Sequence, residues 1–443
     1  MAKREGGRVS SRPFLAAAAV VAVLCGTAAE GREGPSTQAV AQDASLRRVQ
    51  SVLDAYVREN KLCGVAAAIG RGTAPPAFLA AGRLSDDPGA AAAGPDSLWR
   101  VYSMTKPITA MAAMILVEEG KIRLDQPIAD FIPAFKDVRV MIAPETSLES
   151  RPAQHPVTVR ELLTHTSGLG YQILGTGPLP KEYERLHLLG GRVAGPANDA
   201  QPGSLEEFAD KIATVPLRAE PGTQWNYSVS LDILGRVIEV ASGVPFDRFV
   251  ETRILKPIGM ASTYWTVPHA EARRLATAYT WRDDKALPID TGSGSDWLHP
   301  PKAPYGGSGL VSSARDYDRF LRMLAGQGRI DGVRVLKPET VRLAMSNLLP
   351  PGVRITSNIT PAPVMAQGFG AGGELFLEDV PGGVGAGTFG WYGAAGTIGF
   401  FDPKKNLRVT VMVNYFPGQK WPLYADVVHA LYSNGEQAKD IAK

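Results

Sequence analysis

The strongest constraint on the fold of this chain is where its strand signals fall. Two short apolar runs, Gly64–Gly70 and Ala77–Gly82, flank the turn-rich Arg71-Gly72-Thr73-Ala74-Pro75-Pro76. A second pair, Thr397–Phe401 and Leu407–Tyr415, flanks Asp402-Pro403-Lys404-Lys405-Asn406 near the other end. An amphipathic helix precedes the first hairpin, with Leu46, Val49, Val52, Leu53, Tyr56 and Val57 on one stripe between Ser45 and Asn60. Another, Pro422–Tyr432, follows the second. This order predicts an α+β fold in which the early and late hairpins share one antiparallel sheet covered by the first and last helices. The sheet lobe, an α/β sandwich, would take about residues 44–100 and 305–433. Residues of about 101–304 would form an all-α lobe, with the site between the two.

The middle of the chain is punctuated by helix starts. Thr158-Val159-Arg160-Glu161 and Ser204-Leu205-Glu206-Glu207 read as capping boxes. Leu231–Ser242 carries Leu234, Val237, Ile238 and Ala241 on one face and stops at Gly243. Asp247–Leu255, Ala314–Leu324 and Pro338–Asn347 read as further helices. Long Pro/Gly-rich loops cover residues 166–203 and 282–309, and loops of that length in a compact domain tend to build sites.

A chain of 443 residues can bury a large core. Residues 1–29 read as an export signal: a basic start, an apolar core from Phe14 to Cys25, then Gly26-Thr27-Ala28-Ala29. This predicts a periplasmic or secreted protein, with residues 30–43 as a linker and residues 44–433 as the functional domain. Lipid attachment at Cys25 is the alternative, disfavoured by the bulk of Leu24. Lys3, Arg4, Arg8 and Arg12 against Glu5 account for the whole formal charge of +3, so the remainder is near neutral and gives no reason to expect nucleic acid. No apolar run reaches the roughly 20 residues of a membrane span. After cleavage only Cys63 remains, which excludes an intrachain disulfide and reads as a small buried residue in a strand.

Three stretches carry chemistry. In Tyr102-Ser103-Met104-Thr105-Lys106-Pro107, Ser103 and Lys106 open a segment whose Ile108, Met111, Ile115 and Leu116 follow helical spacing up to Gly120. Side chains at i and i+3 share a helix face, so the amine stands within reach of the hydroxyl. A serine is a weak nucleophile until something takes its proton, and a lysine does so where burial disfavours its charged form. The bland reading is a capped helix with a solvated lysine. Tyr227, in Trp225-Asn226-Tyr227-Ser228-Val229 before a helix, offers a phenol as acid or base; its bland reading is a half-buried loop tyrosine. Phe389-Gly390-Trp391-Tyr392-Gly393-Ala394 is a Gly-rich strand where backbone can approach a ligand closely. The Ala394 N–H would face the reacting carbonyl with Trp391 walling the pocket, unless this is an ordinary edge strand.

Taken together and in this order, the three stretches resemble the motifs of the serine β-lactamase and penicillin-binding-protein-like superfamily. The resemblance is strongest to its class C β-lactamase-like carboxylesterases, the family VIII esterases. Leu162-Leu163-Thr164-His165-Thr166-Ser167-Gly168-Leu169 and Leu255-Lys256-Pro257-Ile258-Gly259-Met260 are similar to stretches common there, and the likeness runs from about residue 45 to 433. It implies a β-lactamase/transpeptidase-like fold and an exported serine hydrolase that cleaves small-molecule esters without metal or cofactor. Ser103 would be acylated. Lys106 would be its base, or keep Tyr227 deprotonated to be the base, with Tyr227 protonating the leaving group. The N–H groups of Ser103 and Ala394 would form the oxyanion hole, and Tyr102, Trp391, Tyr392 and Gly393 would line the substrate site. Where β-lactamases and peptidases open the third motif with Lys or His, this chain has Trp391, which cannot hold a substrate carboxylate. Val229 stands where an Asn is usual. Both departures favour esters over amides. The alternatives are a β-lactamase or D-amino-acid peptidase, and a non-catalytic binder of cell-wall fragments.

Other matches lack the context they need. Gly385-Ala386-Gly387-Thr388-Phe389-Gly390 fits the dinucleotide fingerprint by letter, but a strand rather than a helix follows. Gly306-Gly307-Ser308-Gly309 lacks the spacing of a nucleophile elbow. The histidines are scattered, which disfavours a zinc hydrolase; His165 reads as a structural hydrogen-bonder near the site. Oligomeric state is not legible.

Overall fold

The early and late hairpins do meet in one antiparallel sheet of seven strands. The computed structural model describes residues 37–192, 200–282, 285–355 and 367–433. The described residues from Asp43 onward form one compact unit, and the sheet lies in it. In chain order its strands are β1 (Gly64–Arg71), β2 (Ala77–Gly82), β3 (Gln367–Phe369), β4 (Glu374–Phe376), β5 (Phe389–Tyr392), β6 (Ile398–Asp402) and β7 (Leu407–Met412). They lie side by side as β3-β4-β5-β6-β7-β1-β2. The β1–β7 pairing sets Ala66 opposite Met412 and Ala67 opposite Val411, so the early and late hairpins join between the fifth and sixth strands of the sheet.

Both faces of β1 are covered, which is why it reads as an unbroken run of small apolar residues. Val65, Ala67 and Ile69 face one hydrophobic cluster, Ala66 and Ala68 the other. The helices that bear on the sheet and the site are α1 (Thr37–Arg58), α2 (Thr105–Glu118), α3 (Val159–Thr164), α4 (Ser230–Ser242), α5 (Ala314–Ala325) and α6 (Leu423–Tyr432). Helix α1 brings Val49, Leu53 and Tyr56, and α6 brings Leu423 and Val427, to the first face. Tyr56 donates to Asp426 at 2.6 Å and the Arg48 guanidinium to the Ala430 carbonyl at 2.9 Å, tying first helix to last. Helix α5 covers the other face with Tyr317, Phe320 and Leu321.

Several expectations need correction. Residues 30–43 are not all linker, because the helix begins at Thr37; Ala39, Ala41 and Gln42 are good helix formers that prolong α1. The export-signal reading of residues 1–29 lies outside the described residues. Helix α2 buries more than the one face marked by Ile108, Met111, Ile115 and Leu116: every residue from Thr105 to Leu116 is buried, as expected of a helix apolar on all sides. The loop of 166–203 holds a helix, Pro178–Arg185, opened by a proline in its first turn. That of 282–309 holds a strand, Lys285–Asp290, whose mostly exposed side chains leave no apolar run to signal it. Cys63 precedes its strand and is only half-buried. The box at Thr158 is complete, with Glu161 accepting from the Thr158 N–H at 2.7 Å. At Ser204 the glutamate slips by one residue and takes the Gly203 N–H at 2.7 Å. Among the described residues no helix is long and apolar enough to cross a membrane.

Under the sheet, Arg408 of β7 pairs with Asp318 of α5 at 2.9 Å, both side chains essentially sealed from water. Removing one member of such a pair strands the other charge, which costs about 3–5 kcal/mol. Arg408→Met is therefore expected to lower the urea-extrapolated unfolding free energy by about that amount. An unchanged unfolding midpoint would contradict the pairing.

Candidate active site

Ser103 sits in a tight turn, Tyr102–Met104, that leads directly into α2. Tyr102 adopts φ of +42°, a left-handed conformation uncommon outside glycine. Its ring stands edge-on to Trp297 and Phe416, with centroids 6.0 and 5.4 Å away. Just upstream, the fully buried Arg100 donates to Asp290 at 2.5 Å and Ser295 at 3.0 Å. The Arg100 N–H and carbonyl both bond the Asn414 side chain, at 3.1 and 3.0 Å. The serine thus leaves a backbone pinned on both sides. Tyr102 packs with Trp297 and Phe416 and stays half-buried beside the nucleophile.

Three groups converge on the Ser103 hydroxyl region. The Lys106 amine donates to Ser103 Oγ at 3.1 Å and to the Gly307 carbonyl at 2.7 Å. The Tyr227 hydroxyl donates to Ser103 Oγ at 2.7 Å. The Trp391 indole N–H donates in turn to the Tyr227 oxygen at 3.3 Å. Lys106 is wholly buried, Tyr227 nearly so, and Ser103 remains half-buried at the surface of the group. The amine lies 4.6 Å from the Tyr227 ring centroid and 5.7 Å from that of Tyr171. Among the described residues Lys106 makes no ion pair, and its direct contacts are a carbonyl, a hydroxyl and two ring faces.

His165 ends α3 in a left-handed conformation and lies under Tyr227, their rings 4.7 Å apart. Its Nδ1 contacts Ser228 Oγ at 3.1 Å. Burial, and after it the Lys106 charge, push His165 well below its ordinary value, so it stays neutral. It holds the motif of Tyr227 and does not touch Ser103 in this arrangement.

The end of β5 lies against the serine turn. A Cβ on Gly393 would come within 2.0 Å of Thr397 Oγ1 and 2.5 Å of the Val101 carbonyl, so only glycine lets the strand approach there. Ala394 is exposed just beyond, and among the described residues its N–H has no partner. Tyr392 is not where a substrate contact was expected. The pleat turns it to the opposite face from Trp391, where it donates to Glu374 at 3.1 Å and meets Tyr424 of α6 at 5.2 Å between ring centroids. A cleft of about 480 Å³ adjoins Tyr227, lined by Tyr171, Leu174, Leu179, Pro180, Trp225 and Asn226.

Sequence reasoning missed two members of the site. Gly307 was visible only as a glycine run without elbow spacing, whereas its carbonyl anchors Lys106. Asp232, buried in the first turn of α4, accepts the Gly307 N–H at 2.8 Å; it lies opposite the stripe of Leu234, Val237, Ile238 and Ala241, so helical spacing gave no signal for it. Among the described residues no cluster of three His, Cys, Asp or Glu stands ready for a metal ion.

A hydroxyl exposed to substrate, flanked by an amine and a phenol, is the equipment of acyl transfer to serine. Fold and constellation together define a serine hydrolase. The chain belongs to the β-lactamase family, whose model matches residues 49–432. It is 31% identical over 408 residues to esterase EstB of Burkholderia gladioli, covering 87% of this chain and 95% of that one. It is 35% identical over 352 residues to protein Rv1367c of Mycobacterium tuberculosis, covering 78% and 83%. Among solved structures it is similar to EstCE1, a hydrolase with promiscuous acyltransferase activity, with a TM-score of 0.74, 25% identity and coverage of 89% and 100%.

The indole bond to Tyr227 gives a test of the constellation. Trp391→Phe keeps the ring and loses one hydrogen bond, worth about 1 kcal/mol, and should slow fluorophosphonate labelling about fivefold. Tyr227→Phe should slow it by about 10²–10⁴. Equal labelling rates in all three proteins would show that neither group acts on Ser103.

Proposed function

We propose that this protein hydrolyses carboxylic esters of small molecules through an acyl-enzyme on Ser103. The observation that carries the reading is the double contact on Ser103 Oγ, from Lys106 at 3.1 Å and Tyr227 at 2.7 Å. Ser103 attacks the ester carbonyl as its proton passes to the Lys106–Tyr227 pair. Negative charge develops on the carbonyl oxygen, where the Ser103 and Ala394 N–H groups receive it. The intermediate collapses, the acyl group stays on Ser103, and Tyr227 protonates the departing alcohol. Water, deprotonated by the same pair, then releases the acid and restores the serine.

Preference for esters rests on Trp391. An indole has one N–H, and here it points at Tyr227, leaving nothing to grip the carboxylate of a β-lactam or a peptide ending in D-alanine. The buried Val229 supplies no side-chain amide either. A purely binding role would leave the buried amine beside a hydroxyl without a purpose. The reading of an exported protein rests on the charge and apolar pattern of residues 1–29.

The test is a chromogenic butyrate ester and a chromogenic cephalosporin assayed side by side. Ester turnover is expected to exceed cephalosporin turnover, and Ser103→Ala to abolish both. Faster cephalosporin turnover would overturn the ester preference, and full activity in Ser103→Ala would overturn the mechanism.

A further inference from the structure

Asp232 is fully buried, and only one of its oxygens is satisfied. Oδ1 accepts the Gly307 N–H at 2.8 Å, while Oδ2 has no hydrogen-bond partner among the described residues. A buried, half-satisfied carboxyl is costly and calls for a reason. Its surroundings are built to reach it. A Cβ on Gly307 would stand 2.6 Å from Oδ2 and one on Gly190 would stand 2.9 Å away, so two glycines close over it. The residue it grips is the one whose carbonyl receives the Lys106 amine at 2.7 Å. One glycine therefore joins a carboxyl on α4 to the amine on α2.

Building on the serine-hydrolase reading of the site, we propose that Asp232 is a positioning residue for Lys106. It clamps Gly307 so that the carbonyl holds the amine against Ser103, and its charge sets the pH at which the Lys106–Tyr227 pair can take the serine proton. The electrostatics agree with the geometry. Burial pushes the Asp232 carboxyl up to about 7, against the opposing pull of the Lys106 charge and the Gly307 N–H. Around it, Lys106 comes from α2, and Tyr171 and Tyr305 come from loops. Burial raises both phenols, and the Asp232 charge adds to that. They stay neutral across the working range, so the Lys106 charge is the one that pulls against the burial of Asp232. His165, at the end of α3, senses Lys106, and Glu207 senses Tyr305. Neither figures among the influences on Asp232.

An ionised carboxyl beside the pair stabilises the pair's protonated, positive form. Removing that charge makes the proton leave at lower pH. Asp232→Asn keeps an oxygen for the Gly307 N–H and removes only the charge. Its kcat/KM profile on the butyrate ester should keep its shape while the acidic limb moves down by about one pH unit, the scale of such coupling. Asp232→Ala loses clamp and charge, and should cut kcat at every pH as well. An activity loss in Asp232→Asn that is uniform with pH, with the limb unmoved, would reduce Asp232 to a structural role and overturn the proposal. Absence of ester turnover in the wild type would instead strike the functional reading itself. Should the amide variant fail to fold, difference infrared spectroscopy on Lys106→Met decides the matter. The protonated-carboxyl band should titrate near 7 in the wild type and at higher pH once the amine is gone. An unmoved midpoint would contradict the coupling.

Discussion

A lysine amine sealed from water with no carboxylate in contact is the constraint around which the rest of the site is arranged. Burying such a group is unfavourable unless its donors are met. Here the Gly307 carbonyl and Ser103 Oγ meet two of them, and the ring faces of Tyr227 and Tyr171 flank the amine. Cation–π contacts of this kind are worth roughly 0.5–2 kcal/mol each when desolvated. The fully buried α2 follows from the same need. Only a helix packed on all sides keeps its first turn dry while leaving the serine at the rim. The pinned turn before it, with Arg100 held by Asp290 and Asn414, keeps the hydroxyl from drifting away from the amine.

The large features were legible because they depend on local pattern. Strand runs bounded by turn residues announced β1, β2, β6 and β7, and the amphipathic stripes announced α1 and α6. Ser103, Lys106, Tyr227 and Trp391 were each visible as residue types in suitable places, and the fold brings all four together. What the sequence hid was set by tertiary packing. The exposed strand Lys285–Asp290 has no burial pattern of its own and exists because Ala278–Arg282 pairs with it. The slip at Ser204 depends on which N–H the glutamate finds nearer. Gly307 and Asp232 act through a backbone carbonyl and a backbone N–H, neither of which has a letter in the sequence.

Tyr392 shows how a motif can be read one residue too far. Neighbours on a strand point to opposite faces, so Trp391 toward Tyr227 requires Tyr392 to face away, into the layer of α6. The aromatic wall of the site is thus Trp391, Tyr227, Tyr171 and Trp225, drawn from separate parts of the chain. Its one indole N–H is spent on the phenol of Tyr227.

The central claim is that a covalent bond forms at one hydroxyl. The wild-type protein can be mixed with excess butyrate ester, quenched in acid during turnover and digested for mass spectrometry. The account predicts a butyryl increment on the peptide that contains Ser103 and on no other. An increment located elsewhere, or none while ester is still being consumed, would contradict it.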